Sequence, residues 1–356
     1  MGLYSDAGTI GGAERSMFNL ARAYSGSYEL HVLSPSRLVL AEAERLVPHL
    51  RRHLVRARAS GIASVVDHRR AYRAAELDLL HVNSSNPFSS RASIVGGWLA
   101  RVPIVAVEHL VFPSRRRRGA ILKRFVASRL ERTIAVGHAS ADDLHRHFGI
   151  PASSLSVVHN GVPDLEVTPT MFARRPVIGC AARLEDQKGL DTLIACLDAL
   201  PRVDLVIVGD GSRRVELERL ADEREVSDRV HFVGWVDDAR PYLAGLDIFV
   251  LPSRNESFPL TIIEAMLHSV PVVATRVGSV DEAVVEGVTG FLCDVDDPNA
   301  LVEAIRRLLD DDDQRQRFGQ VAREIAVERF TSDVMAANYH QIWSDVVRRD
   351  RARGRR

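Results

Sequence analysis

No stretch of this 356-residue sequence approaches the ~20 consecutive apolar residues that a helix needs to cross a bilayer. Its N-terminus also lacks a basic segment followed by an apolar stretch and a cleavage site. Both absences lead to the expectation of a cytoplasmic chain. Cysteine is scarce: Cys180, Cys196 and Cys293 match neither a metal-binding spacing nor an even disulfide set, and they read as small core residues in a reducing compartment. Collagen-like, mucin-like and disordered compositions are excluded by 46% apolar and 26% charged residues. The net charge is zero, yet residues 1–165 hold 22 Lys and Arg against 13 Asp and Glu, and the remainder holds 25 against 34. That asymmetry suggests two units with different partners, the first facing something anionic such as a lipid headgroup or a phosphorylated acceptor. The plainer reading is arginine-rich composition alone. Nothing in the sequence points to nucleic acid.

The length itself implies two cores. In the second half, short β-branched runs at 176–180, 204–208, 229–233, 247–251 and 271–275 alternate with helical patterns, which means parallel strands with crossover helices. These runs lack polar alternation, as expected of strands covered on both faces. The first half repeats the pattern at 28–33, 79–83, 104–108, 133–136 and 155–159. An aperiodic stretch from Asn160 to Arg175, with Pro163 and Pro169, reads as the linker. The expected division is therefore 1–165, 166–330, a closing helix over 331–347 and a disordered basic tail over 348–356. A first strand would consist only of residues 1–5. Either that edge of the sheet is minimal or the recorded start lies downstream of the true one.

The most informative segment runs from Arg254 to Met266 and carries Glu256 and Glu264. Glu256 falls in a loop leaving a strand, and Glu264 in a helix beginning near Phe258. In an open α/β sheet, ligands bind outside the carboxyl ends of the strands, where this loop must lie. The start of the helix offers backbone N–H groups and a positive dipole to a diphosphate. Apolar neighbours around Glu264 make an unpartnered charge there expensive. A second constellation, Arg183 and Lys188, follows the first strand of the second half, where two cations could neutralise a leaving diphosphate without a metal. The alternative is a pair of surface cations bound to Glu185 and Asp186. The turn at Gly209 and Gly211 lacks the third glycine of a dinucleotide fingerprint because Arg214 stands there. Base recognition is expected near it and near 234–236. The Asp294-Val-Asp296 sequence is read as helix capping rather than as a metal site. In the first half, Gly11 and Gly12 open a helix and allow close approach of a phosphate or sugar. His109 follows a strand and points to the same end of the sheet. The run at 115–118, with Lys123 and Arg124 behind it, is either a solvated face or an anchor for an anionic surface.

Taken together, Glu256-x7-Glu264, the Arg183/Lys188 pair, Val158-His-Asn-Gly-Val, Gly11-Gly12-Ala-Glu-Arg and Pro271-Val-Val-Ala-Thr-Arg-Val-Gly-Ser resemble the retaining glycosyltransferases of family 4 (glycosyl transferases group 1) over nearly the whole chain. The resemblance implies a GT-B fold, two doubly wound Rossmann-like α/β domains facing across a cleft, with the last helix crossing back to the first domain. It implies a nucleotide diphosphate sugar, UDP- or GDP-linked, as co-substrate, with no cofactor and no metal. Glu264 would hold the ribose, Glu256 the transferred sugar, and Arg183 and Lys188 the diphosphate. His109 would lie close to the anomeric carbon and Gly12 would contact the ligand from the first domain. Further donor contacts are implied for Gly209, Gly211, Val236, Ser257, Phe258 and Leu260. The acceptor, expected in the first domain, would be a glycan, a lipid-linked sugar or a small molecule in cell-envelope synthesis, with peripheral contact at the inner membrane face. A nucleotide-sugar epimerase or hydrolase, or a non-catalytic binding protein, is the alternative on the same fold. Where the family often has Gly-Phe-Gly, this chain has Ser257-Phe258-Pro259, and Pro259 has no N–H to donate.

Overall fold

Most of the β-branched runs form strands buried along their whole length, those at 155–159 and 229–233 being only partly buried, and buried strands joined by helices pair in parallel. A computed structural model describes residues 1–24, 28–56, 61–112, 117–173 and 176–354, without the side chains of 117 and 118. The chain divides into two units, one comprising Met1–Pro163 with Ser332–Arg356 and the other Asp164–Thr331.

The first unit holds β1 (Gly2–Tyr4), β2 (His31–Ser34), β3 (Arg51–Leu54), β4 (Leu80–Ser84), β5 (Ile104–Glu108), β6 (Arg132–Ala135) and β7 (Leu155–Val157) in the parallel order β3-β2-β1-β4-β5-β6-β7. Its helices are α1 (Gly12–Ala23), α2 (Arg37–Leu46), α3 (Gly61–Ala74), α4 (Arg91–Ala100), α5 (Arg117–Ala127) and α6 (His138–Phe148). The short first strand is no edge: β1 pairs with β2 on one side and β4 on the other. Its three residues are all buried, so both faces and both flanks are covered despite its length. The edge on that side is β3, with β7 at the other end of the sheet, and β3 is not announced by the sequence because Arg51, Arg52 and His53 carry no apolar run.

The second unit has β8 (Val177–Ala181), β9 (Asp204–Val208), β10 (Val230–Gly234), β11 (Ile248–Leu251), β12 (Val272–Thr275) and β13 (Gly290–Cys293) in the order β10-β9-β8-β11-β12-β13. Its helices are α7 (Leu190–Cys196), α8 (Arg214–Glu223), α9 (Arg240–Ala244), α10 (Leu260–Leu267), α11 (Pro298–Leu309) and α12 (Asp312–Arg329). The three cysteines are buried and form no disulfide.

The last helix, α13 (Ser332–Ala352), belongs to the first unit. Trp343 packs against Tyr24 at 5.0 Å and Tyr339 at 5.5 Å between ring centroids, and the Tyr24 hydroxyl donates to the Ala336 carbonyl. The expectation of a disordered tail from 348 fails over its first part. Val346 and Asp350 are buried and Arg353 reaches Glu131 at 3.0 Å, so the helix is held through residue 352.

Candidate active site

In the second unit the strand order reverses between β8 and β11, because the chain lays β9 and β10 on one side of β8 and then returns to its other side. The crevice outside the carboxyl ends of the two strands flanking such a switch is where open α/β sheets take ligands. Arg183 and Lys188 lie on the loop after β8, and Glu256 on the loop after β11. Lys188 Nζ donates to Glu256 Oε1 at 2.5 Å, and Ser253 Oγ donates to the same oxygen at 2.8 Å. Glu256 is 9% exposed and Ser253 fully buried, so the pair is largely withdrawn from water. Lys188 therefore does not pair with Glu185 or Asp186, the plain alternative for a surface cation. Arg183, on the same loop, is exposed, and its charge is felt by Glu185, whose carboxyl is held below its ordinary value first by its hydrogen bonds from Ser212.

Two glycines make this convergence possible. Gly189 has φ +62°, and a Cβ there would stand 2.1 Å from the Pro252 carbonyl oxygen. Gly278, in the loop after β12, has φ +54° and would place a Cβ 2.0 Å from the Glu256 carbonyl oxygen, while Ser279 N donates to Ser257 O at 2.8 Å. The quoted motif ending in Arg276-Val-Gly-Ser thus packs directly on the Glu256 loop.

Arg254, which sequence reasoning passed over, ties the surrounding loops together. Its guanidinium meets Asp191 in a two-pronged pair at 2.8 and 3.1 Å, Asp296 at 2.9 Å and the Asp186 carbonyl at 2.7 Å. Asp296 is thus an ion-pair partner rather than a helix cap; the cap of α11 is Asp297, which accepts from Ala300 N at 3.0 Å. The only signal available was the position of Arg254 inside the Glu256 motif. Gly209 and Gly211 lie against the Arg183 loop, with notional Cβ positions 2.0 Å from the Ala182 oxygen and 2.5 Å from the Leu184 oxygen. Leu184 N donates to Asp210 O at 3.0 Å, so this turn and the cation loop form one surface.

Helix α10 begins at Leu260, two residues later than expected near Phe258, because Pro259 occupies the N-cap with an extended backbone at ψ 127°. Pro259 offers no side-chain hydrogen bond to cap this end of the helix. Ser257, Phe258 and Leu260 are buried around it, and Phe258 packs on Phe330 at 5.2 Å. Glu264 lies just over one turn into α10, half-buried, and its charge is felt by Arg240, whose guanidinium is held above its ordinary value first by its hydrogen bonds to Asp238. Val236 is half-buried in the loop after β10. Glu264 and the Lys188–Glu256 pair thus lie on either side of Pro259 along the chain, at the start of one helix.

The first unit has its own switch point, between β1 and β4. The loop after β1 leads through Gly11 to α1 at Gly12. Gly12 is exposed, and a Cβ there would meet nothing within 4 Å, so packing alone does not demand glycine. His109 leaves β5 next to Asn83 of β4, and its Nε2 lies 2.7 Å from Asn83 Oδ1. Burial pushes the imidazole down to about 4, which keeps it neutral near pH 7. The Val158-His-Asn-Gly-Val motif turns out to be a packing device: Ser16 Oγ donates to Asn160 Oδ1 at 2.8 Å and Asn19 Nδ2 to Gly161 O at 2.9 Å. Of the basic run, 115 and 116 and the side chains of 117 and 118 lie outside the described residues. Lys123 behind it is no surface cation, being 2% exposed and paired with buried Glu108. No group of three or more metal-ligating side chains is found among the described residues.

Residues 10–164 match the model of Glycosyltransferase Family 4, and residues 169–325 that of Glycosyl transferases group 1. The chain is 35% identical over 170 residues to the lipopolysaccharide core biosynthesis glycosyltransferase LpsE of Rhizobium meliloti, a match spanning 48% of this chain and 50% of that relative. It is 32% identical over 295 residues to the D-inositol 3-phosphate glycosyltransferase of Xylanimonas cellulosilytica, spanning 72% and 70%. Among solved structures it resembles HepE of Anabaena in complex with UDP, with a TM-score of 0.86 at 23% identity over 97% of this chain and 99% of that one. The two parallel-sheet units are thus those of the GT-B architecture, and the chain belongs to the group 1 glycosyltransferases.

Proposed function

We propose that this glycosyltransferase moves a hexose from a nucleoside diphosphate sugar, UDP-linked before GDP-linked, to an acceptor hydroxyl with retention at the anomeric carbon. The observation that carries this reading is the Lys188–Glu256–Ser253 cluster at the switch point of the second unit, with Arg183 on the same loop as Lys188 and the start of α10, which has no side-chain cap from Pro259, following the Glu256 loop. A nucleoside diphosphate needs cations and N–H donors for its phosphates and an acceptor for ribose or sugar hydroxyls, and this terminus offers both. UDP is favoured by HepE, whose complex contains it.

In the reaction, the acceptor oxygen bonds to the anomeric carbon on the face from which the diphosphate departs, and the leaving phosphate oxygen takes the hydroxyl proton. No protein base is then needed. Arg183 and Lys188 stabilise the charge that develops on the diphosphate, a term of several kcal/mol in a site that excludes water, and they make a metal ion dispensable. Incubation of the purified protein with UDP-glucose and a panel of envelope-type acceptors, in EDTA, tests the whole reading. The expected result is acceptor-dependent UDP release with an α-linked product. Free or epimerised sugar released without acceptor would instead mark a hydrolase or epimerase.

The acceptor side is assigned to the first unit, with a lipid-linked or glycan acceptor met from the inner face of a membrane. No described helix is long and apolar enough to cross one. Helix α5 nevertheless exposes Ile121 at 69% and Phe125 at 53%, next to exposed Trp98 and Leu99. Arg129 lies 4.6 Å over both the Trp98 and Phe125 rings, the mixture of aromatic, aliphatic and cationic groups that enters a headgroup layer. Flotation with anionic vesicles is expected to be lost in Ile121→Glu/Phe125→Glu and weakened when 115–118 are neutralised. Unchanged flotation removes the membrane from this proposal.

A further inference from the structure

Glu14 is 2% exposed and Asn83 1%, and neither has a part in the reaction proposed above. Donors converge on the Glu14 carboxylate. Ser5 Oγ donates to Oε1 at 3.0 Å, Gly11 N to Oε2 at 3.1 Å and Asn83 Nδ2 to Oε1 at 3.5 Å. Apart from the amide, both carboxylate oxygens already accept, one from the Ser5 hydroxyl and the other from the Gly11 N–H, so Glu14 presents an acceptor to Asn83. The Asn83 amide must therefore turn its nitrogen to Glu14 and its oxygen to His109. Pairing of Asn83 with Val107 in adjacent strands places His109, two residues further on, on the same face, where Nε2 meets that oxygen at 2.7 Å. An oxygen lone pair can only receive there, so Nε2 carries the proton.

We propose that Glu14 and Asn83 are positioning residues that lock His109 in the Nε2–H form and leave Nδ1 as the lone-pair acceptor. The same carboxylate holds the Gly11 amide, so one buried group sets both the entry to α1 and the hydrogen-bonding sense of the histidine. Because the ring stays neutral near pH 7, the choice between its two nitrogens is a tautomeric one, and tautomer is set by the partner of the second nitrogen. A histidine so arranged can accept a hydrogen bond from a ligand hydroxyl but cannot donate to a ligand phosphate. This selects a sugar hydroxyl as its partner. That last step rests on the donor-sugar reading; the tautomer does not.

Nitrogen NMR of histidine-labelled protein, with His109 assigned by the signals lost in His109→Gln, reads the tautomer directly. The wild-type protein at neutral pH is expected to show Nε2 protonated and Nδ1 bare. Asn83→Leu, checked for folding by its melting curve, is expected to gain a substantial Nδ1–H population, while Asn83→Asp, which keeps the accepting oxygen, restores Nε2–H. Glu14→Gln, which frees the amide to turn over, gives a mixture and covers the case in which Asn83→Leu fails to fold. Wild-type His109 protonated at Nδ1 overturns the proposal with no variant required, as does an unchanged Nε2–H signal in both folded variants. In transfer assays Asn83→Leu is expected to lose about tenfold in kcat/KM, the worth of one oriented hydrogen bond, and Asn83→Asp to regain most of it. If the protein transfers no sugar at all, the spectra still decide the tautomer.

Discussion

Lys188 and Glu256 touch each other, so removing either disturbs two things at once, the charge at the ligand and a largely buried ion pair. Lys188→Ala and Glu256→Ala are each expected to cut kcat by roughly 100-fold or more, and each leaves the other charge uncompensated, at a cost of about 3 kcal/mol in stability. The double replacement Lys188→Met/Glu256→Leu separates the two effects. Its melting temperature should return towards that of the natural protein while transfer stays abolished; recovery of transfer would show that the pair is structural. The buried His81 and the half-buried His109 make a second prediction. Burial lowers His109 to about 4 and His81 to about 3, whereas the unfolded chain protonates near 6.5. The unfolded state therefore binds more protons below that value, and stability present above pH 6.5 is lost as pH falls towards 4 and then 3. Urea midpoints measured between pH 7 and 4 should fall steadily, less so in His81→Phe. At this scale the sequence was informative about residue types and not about partners: Glu256 and Lys188 stood out as charges at strand ends, but their contact depends on Gly189 passing under Pro252, and a backbone approach of that kind leaves no readable pattern in the residues that benefit.

Loops rather than strands decide the geometry of the second unit, and Arg254 is the side chain that fixes three of them. Replacing it by lysine keeps the charge but loses the two-pronged pairing with Asp191 and one or both of the contacts to Asp296 and the Asp186 carbonyl. Arg254→Lys is expected to reduce kcat/KM about tenfold with the fold intact, and Arg254→Ala to reduce it further; unchanged kinetics in both would remove the clamp. Gly189→Ala and Gly278→Ala should destabilise the second unit by roughly 2 kcal/mol or more, since each adds a positive-φ penalty to a carbonyl clash. Gly12→Ala should leave the melting temperature unchanged and weaken turnover only. Elements were legible where both faces are apolar: 104–108 and 204–208 match β5 and β9 residue for residue. They were illegible where tertiary pairing overrides composition, as in polar β3, and where one residue resets a boundary, as Pro259 does for α10.

At the scale of the molecule the chain leaves the first unit after Pro163 and returns to it at Ser332, so the two units differ in how they depend on chain length. Trp343 packs on Tyr24 and Tyr339, and of the buried residues Tyr24, Met335, Tyr339, Trp343 and Val346 all but Tyr24 come from α13. A chain ending at Thr331 strips those side chains from the first unit at about 1.5–3 kcal/mol each, more than a unit of ordinary stability can spare. Hydrogen exchange should then show β1, β2 and β4 losing protection while β8, β9, β11 and β12 keep theirs. The second unit is continuous from Asp164 to Thr331 and carries every residue assigned to the phosphates, Arg183 and Lys188, together with Glu256 and Glu264. A fragment of residues 164–331 is therefore expected to fold with its own cooperative melt and to be stabilised by UDP. The shift should grow with the logarithm of ligand concentration above Kd, by about 2.7 kcal/mol at 100 Kd. Loss of the shift in Lys188→Ala of the same fragment would assign it to the cluster at the switch point. A fragment that folds but ignores both UDP and GDP, in conditions where the full chain responds to one of them, would mean that donor affinity needs the first unit and that the division of labour between the units is wrong.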